Sequence, residues 1–407
     1  MLSLLRATAT AAVVSSASAM TQATKVLLVG GDAQSSRCLD GSPFAVYVRD
    51  TAPGDNWLLQ FDAGGWCYNQ SDCYARSLTP LGSSSTWPAA RDGEALEDDD
   101  CAVNPTFCGY NFAIIPYCDG FSQLGSRADP IVYSNGSFSA NLWSRGLDNL
   151  DAALAYLKAH TSLAQARRVL LDGCSAGAFS AFHHVDRVAA ALPGAPLVQS
   201  VADAGFFLDA QIVVGDASAG YQPGTFYYRS LLAYYFNMHN GSAGVSPRCL
   251  ADRPPSLAWQ CALATAAAQY ASSSIFAVQS QFDGYQMQNH FAPPWLPGVD
   301  PAWAACTGNA SRCSPEQINA LENQWVPAFR GALSLAGILL PGSPHGLFLH
   351  NCVIHCQYGA YGTIKIDGTT AYQAISAWHN GTPRPSGGFQ WVDTVAPSSN
   401  PTCALIS

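Results

Sequence analysis

The 407-residue sequence predicts an α/β fold: a mostly parallel central sheet with helices on both faces, loop-rich and stapled by disulfides. Three observations lead there. Short β-branched apolar runs recur along the chain, helical patterns alternate with them, and 14 cysteines follow from Cys38 onward. Alternating strands and helices imply a sheet covered on both sides, because each element must bury an apolar face against another layer.

The runs read as strands are Val26–Val29, Phe44–Val48, Trp57–Phe61, Phe112–Ile115, Val169–Leu171, Leu197–Val201 and Ile275–Val278. Most are nearly continuous in hydrophobicity, as parallel strands buried on both faces are. Leu142, Leu147, Leu150, Leu154 and Leu157 recur at helical spacing. Phe179 to Leu192 predicts a second helix, stopped by Pro193 and Gly194, and a third begins at Asn319. Val213 to Cys261 is loop-rich and carries Tyr221, Phe226, Tyr227, Tyr228, Tyr234, Tyr235 and Phe236. These aromatics suit either a cap over a site or a packed core. No repeat or linker divides the chain, so residues 20–407 are expected to form one domain.

Composition narrows the function classes. The chain is 48% hydrophobic and 12% charged, with a net charge of −9. That balance supports a large core and excludes the basic footprint of a nucleic-acid binder. The one dense charge run, Glu94 to Asp100, is acidic and reads as a solvated loop. After the N-terminus no segment reaches the roughly 18 apolar residues that a membrane span needs.

The N-terminus carries a small apolar stretch, Ala7 to Val14, and then Ala17-Ser18-Ala19. This predicts a signal peptide over residues 1–19. An even, high cysteine count beyond it fits disulfides formed outside the cell. Cys352 to Cys356 encloses His355 and could suggest a metal site, but no second pair lies at zinc-site spacing, so no metal is expected. Cys67/Cys73 and Cys306/Cys313 are close enough to close small loops. Sequons at Asn69, Asn135, Asn240, Asn309 and Asn380 fit glycosylation during secretion.

The sharpest chemical signal is Gly173-Cys174-Ser175-Ala176-Gly177, set between a predicted strand and a predicted helix. Glycines on both sides permit the strained turn that exposes a nucleophilic serine. The helix behind it favours developing negative charge. A serine nucleophile needs a base, and the base an orienting acid. In this chain order the acid follows a late strand, which suits Asp283 after the Ile275 run; Asp203 is the rival, with Asp209 in the same loop. Histidines after Asp283 are His290, His345, His350, His355 and His379. His290 follows too closely to lie beyond another strand, while His345 and His355 share the glycine- and cysteine-rich stretch Pro344 to Gln357. His183 and His184 fall on the helix after the serine and read as structural or exposed. Ala176 supplies one backbone donor of an oxyanion hole, and the Gly64-Gly65-Trp66 loop after the Trp57 strand suits the other.

Together these stretches resemble the pectin acetylesterases and their animal relative Notum. The matching segments are Gly64–Cys67, Pro116–Gly120, Asp172–Gly177, Asp203–Asp209, Gln281–Asp283 and Asn351–Gln357. Cys174 before the serine and His355-Cys356-Gln357 look more like the plant and microbial members. Two departures stand out: Asp62-Ala63 where the family has Glu-Gly, and Ala178 where it has a further glycine.

The resemblance implies an α/β-hydrolase-like fold and a triad of Ser175, Asp283 and His355, with oxyanion donors at Gly65, Trp66 and Ala176. It implies no cofactor. The expected activity is a secreted serine carboxylesterase of the cell wall that removes acetyl groups from a polysaccharide, pectin first, as a monomer. Arg76 and Arg127 are candidates for a local basic cleft around an anionic glycan. The alternatives are a Notum-like lipid or protein deacylase, which needs a large apolar acyl pocket, and a catalytically silent carbohydrate-binding protein.

Overall fold

A computed structural model describes residues 22–29, 35–213 and 224–406. The expected signal peptide and Tyr221 lie outside these residues. The described strands are β1 (Ala23–Leu27), β2 (Ala45–Arg49), β3 (Asn56–Phe61), β4 (Ala90–Arg91), β5 (Asn111–Ile115), β6 (Ile131–Ser134), β7 (Ser139–Leu142), β8 (Arg168–Cys174), β9 (Leu197–Asp203), β10 (Ile275–Ser280), β11 (Gly346–His350), β12 (Lys365–Ile366), β13 (Thr369–Thr370) and β14 (Gln390–Val392). Ten of them form one sheet in the order β14-β11-β10-β9-β8-β3-β5-β2-β1-β4. From β14 to β5 every pairing is parallel, and β2, β1 and β4 continue antiparallel. The pairs β6–β7 and β12–β13 make two small ribbons.

The continuous apolar runs follow from two buried faces. Neighbours along one strand point to opposite sides. Leu59, Leu171 and Leu349 pack on one face, while Leu58, Leu170 and Phe348 pack on the other. Helix α1 (Gln70–Ser77) follows β3, and the first face is covered by helices α2 (Gly146–His160) and α3 (Ala176–Ala191), through Leu150, Leu154, Leu157, Phe182 and Val185. The second is covered by the helix Ala371–His379, through Ile375 and Trp378. Each such side chain contributes about 1.5–3 kcal/mol of hydrophobic stabilisation.

Several sequence expectations change here. Leu142 ends the β6–β7 ribbon and is not part of α2. The acidic run is not wholly solvated: Glu97 is buried, and Asp99 pairs with Arg49 at 3.3 Å. The stretch read as a loop from Pro344 contains β11, which pairs with β10 along its length. In the aromatic region, helix α4 (Tyr227–His239) packs Tyr228, Tyr235 and Phe236 into a cluster with Phe121, Phe179 and Phe207. All 14 cysteines are paired: Cys38–Cys118, Cys67–Cys73, Cys101–Cys108, Cys174–Cys356, Cys249–Cys261, Cys306–Cys313 and Cys352–Cys403. Among the described residues no helix is long and apolar enough to cross a membrane.

Candidate active site

Registry brings the ends of five parallel strands level. Phe61 pairs with Gly173, Cys174 with Asp203, Val278 with Asp203, and Ser280 with His350. The loops leaving these carboxyl ends therefore meet at one place, the usual location for a site in such a sheet.

Ser175 stands between β8 and α3 with φ +56° and ψ −119°. A non-glycine residue there costs on the order of 1–3 kcal/mol, so its surroundings must enforce it. One restraint is its own N–H, which donates to the carbonyl of Asp203 at 2.8 Å. Another is close packing: a Cβ on Gly177 would collide with the carbonyl oxygen of Phe61, so only glycine lets α3 start this near β3.

His355 Nε2 lies 2.8 Å from Ser175 Oγ. Its Nδ1 faces both oxygens of Asp283, at 3.0 and 2.9 Å. These partners assign the proton to Nδ1 and leave the Nε2 lone pair toward the serine. Asp283 is fully buried. Its carboxylate also accepts from the Gln286 backbone N–H at 3.1 Å, Gln279 Nε2 at 3.1 Å and Gln286 Nε2 at 3.3 Å. Those donors replace the water that burial removes. The Tyr285 ring stacks on His355 with centroids 4.9 Å apart.

The Gly64–Trp66 loop leaves β3 beside this group. Asp62 accepts twice from Arg91, at 2.5 and 3.0 Å. Arg76 Nη1 donates to the Gly64 carbonyl at 2.5 Å, and Trp66 Nε1 donates to Ser122 Oγ at 2.6 Å. Gly65 has φ +66°, a region open to glycine at little cost. Among the described residues, the N–H groups of Gly65, Trp66 and Ala176 have no acceptor within the protein. Such free, fixed donors can receive an oxyanion.

A cavity of about 570 Å³ opens next to the loop. Its aromatic lining includes Trp66, Tyr68, Tyr228, Tyr235, Tyr285 and Trp295, with Arg76 the one permanent cation among the described lining residues. Arg127 is elsewhere, donating to the carbonyls of Met238 and Asp129.

The rival residues are occupied otherwise. Asp203 accepts from the Gln357 N–H at 2.7 Å, and Asp209 pairs with Arg229 at 2.7 Å. His290 sits against the Leu208 carbonyl and stacks on Tyr228, and burial lowers its pKa to about 4. His345 accepts from the Ile275 N–H, at the far end of β10. His350 and His379 are buried, with pKa values lowered by burial to about 3 and about 4. His183 and His184 are held on α3 under the sheet, with pKa values lowered by burial to about 4 and about 3. Sequence reasoning missed the Cys174–Cys356 pairing, although each cysteine adjoins a candidate catalytic residue, and it missed Tyr285 and Trp295.

A mostly parallel sheet with a serine on a tight strand–turn–helix belongs to the α/β-hydrolase class. Within it, the chain belongs to the pectinacetylesterase family, whose model matches residues 16–404. It is 28% identical to pectin acetylesterase 11 of Arabidopsis thaliana over 389 residues, covering 92% of this chain and 91% of that protein. It is 32% identical to the human palmitoleoyl-protein carboxylesterase NOTUM over 180 residues, 42% of this chain and 34% of that one. Its fold is similar to the Wnt deacylase Notum from Drosophila, with TM-score 0.75, 22% identity and coverage of 94% and 99% of the two chains. The chain is a carboxylic ester hydrolase.

Proposed function

We propose that this chain is a secreted acetylesterase that removes acetyl groups from a cell-wall polysaccharide, pectin first, through Ser175, His355 and Asp283. One observation carries the reading: a single imidazole bridges Ser175 Oγ at 2.8 Å and the Asp283 carboxylate at 2.9 Å, beside unpaired backbone donors.

His355 Nε2 takes the Ser175 proton as Oγ attacks the acetyl carbonyl. Asp283 holds the ring and stabilises the imidazolium. Gly65, Trp66 and Ala176 receive the oxyanion. Collapse breaks the C–O bond to the sugar, and His355 returns the proton to the departing hydroxyl. A water then gives its proton to His355, attacks the acetyl-enzyme and releases acetate, and Ser175 recovers its proton.

The cavity supports a saccharide beside the acetyl group. Tyrosine and tryptophan pair a flat apolar face with a polar edge, as sugar rings do. Arg76 gives a uronate carboxylate a partner. The same volume supports a second reading, removal of a long acyl chain, as the NOTUM relatives' names describe for palmitoleoyl-protein. Acetate release from acetylated pectin and xylan, run beside short- and long-chain aryl esters, separates the two. Acetate from pectin that vanishes in Ser175→Ala is the expected result; preference for the long chain moves the assignment to a deacylase.

Seven disulfides support secretion. Residues 1–19 are proposed as the signal peptide and residues 20–407 as one esterase domain, so the secreted protein's N-terminal sequence begins at Met20.

A further inference from the structure

Three non-glycine residues with positive φ meet at one seam: Ser175 at +56°, Ala204 at +54° and Cys356 at +63°. Each costs on the order of 1–3 kcal/mol and persists only where neighbours over-determine it. The neighbours are few. The Asp203 carbonyl accepts the Ser175 N–H at 2.8 Å, while the Asp203 carboxyl accepts the Gln357 N–H at 2.7 Å. One buried residue thus holds both the nucleophile turn and the histidine loop. The Cys174–Cys356 disulfide joins the same two segments, with Cα atoms 5.6 Å apart and the two cysteines 182 positions apart in sequence.

We infer that Asp203 and the Cys174–Cys356 disulfide are positioning groups, a double clamp that fixes the distance between Ser175 Oγ and His355 Nε2. This rests on the triad proposed above. Asp203 acts through backbone geometry and not as the triad acid, which explains a fully buried carboxyl one strand away from Asp283. Burial pushes that carboxyl well above the usual range, and the contact it makes here is to accept the Gln357 N–H, which an amide oxygen also accepts. An asparagine oxygen can therefore take its place, whereas alanine cannot.

The test uses the full chain as Asp203→Ala, Asp203→Asn and the double variant Cys174→Ala/Cys356→Ala. It measures kcat and KM on a short aryl acetate, melting temperature, and the rate of covalent labelling of Ser175 by an organophosphonate. A misplacement of about 1 Å costs roughly 10² in rate. D203A and the cysteine double variant are expected to lose about that much kcat and labelling rate, well below their melting temperatures, with KM nearly constant. D203N is expected to keep at least tenfold more kcat than D203A. Should D203A fail to fold, the double variant still decides, and a folded D203N that loses about 10² in kcat against wild type overturns the part of the clamp assigned to Asp203.

A folded double variant with unchanged kcat and labelling rate overturns the clamp, as does a D203N as slow as D203A. Failure of the underlying triad looks different: wild type is then not labelled at Ser175, and Ser175→Ala keeps its activity.

Discussion

The proposed nucleophile, Ser175, was legible because its setting is local: two glycines, a strand before and a helix after lie within a few residues. The proposed base was not, because His345 and His355 share one glycine- and cysteine-rich stretch and no local pattern tells them apart. The resemblance pointed to His355, and the strand register that brings it to Asp283 is a long-range property. If Asp283 orients His355, Asp283→Asn leaves the fold intact but offers the wrong hydrogen-bonding partner to Nδ1. A loss of about 10⁴ in kcat with a near-wild-type melting temperature is expected. A second residue-scale effect lies below the site. Glu97 and Asp172 are buried side by side, and burial pushes both carboxyls up. Tyr358 donates to one Asp172 oxygen at 3.2 Å, whereas neither Glu97 oxygen has a hydrogen-bond partner among the described residues, which favours the protonated form of the pair. The folded state therefore holds protons that the unfolded chain gives up near pH 4. That stabilisation is complete below about pH 4 and is lost as pH rises toward the raised folded values. Asp172→Asn supplies a permanent donor to Glu97. Melting curves should show the variant roughly 2–4 °C above wild type at pH 7 and level with it at pH 4.

At the scale of elements, the strands of the sheet's middle were readable because both faces are buried and their hydrophobicity is continuous. β11 was not: Gly346–His350 is five residues long, follows Pro344-His345 and precedes a cysteine-rich turn, and reads locally as a loop. Leu142 fitted the helical period of α2 by coincidence of spacing, and its pairing with Ile131 decided otherwise. The Gly64–Trp66 loop shows how an element without regular structure is made rigid. Trp66 is inserted among Phe121, Phe179, Phe207 and Tyr235 with centroids 4.9–5.9 Å away, and its indole N–H is bonded to Ser122. Trp66→Ala removes that anchor while keeping the backbone donors. It is expected to lower kcat about 10²–10³-fold on every ester tried, short aryl acetates included, because an oxyanion site that wanders no longer favours the transition state. A loss confined to polysaccharide would instead assign Trp66 to sugar binding.

For the molecule as a whole, the proposed substrate poses an electrostatic problem. The chain carries a net charge of −9, and acetylated pectin is a polyanion. Repulsion at long range slows encounter, whereas one guanidinium near the reacting ester can favour binding at short range. Distance separates the two, since charges more than about 10 Å apart are largely screened at 0.1 M salt. Arg76 lines the cavity beside Gly65, partly neutralised by Asp72 at 3.2 Å. Raising salt from about 10 to 150 mM should therefore increase kcat/KM on pectin roughly threefold or more, because the diffuse repulsion is removed first. A neutral aryl acetate should show no such change. Arg76→Gln then tests the local term: at fixed salt it should raise KM on pectin several-fold more than on the aryl acetate. Equal losses on both would mean that Arg76 acts only by holding the Gly64 carbonyl. A steady fall of kcat/KM on pectin with salt would mean that attraction already dominates at long range, which the charge of this chain argues against.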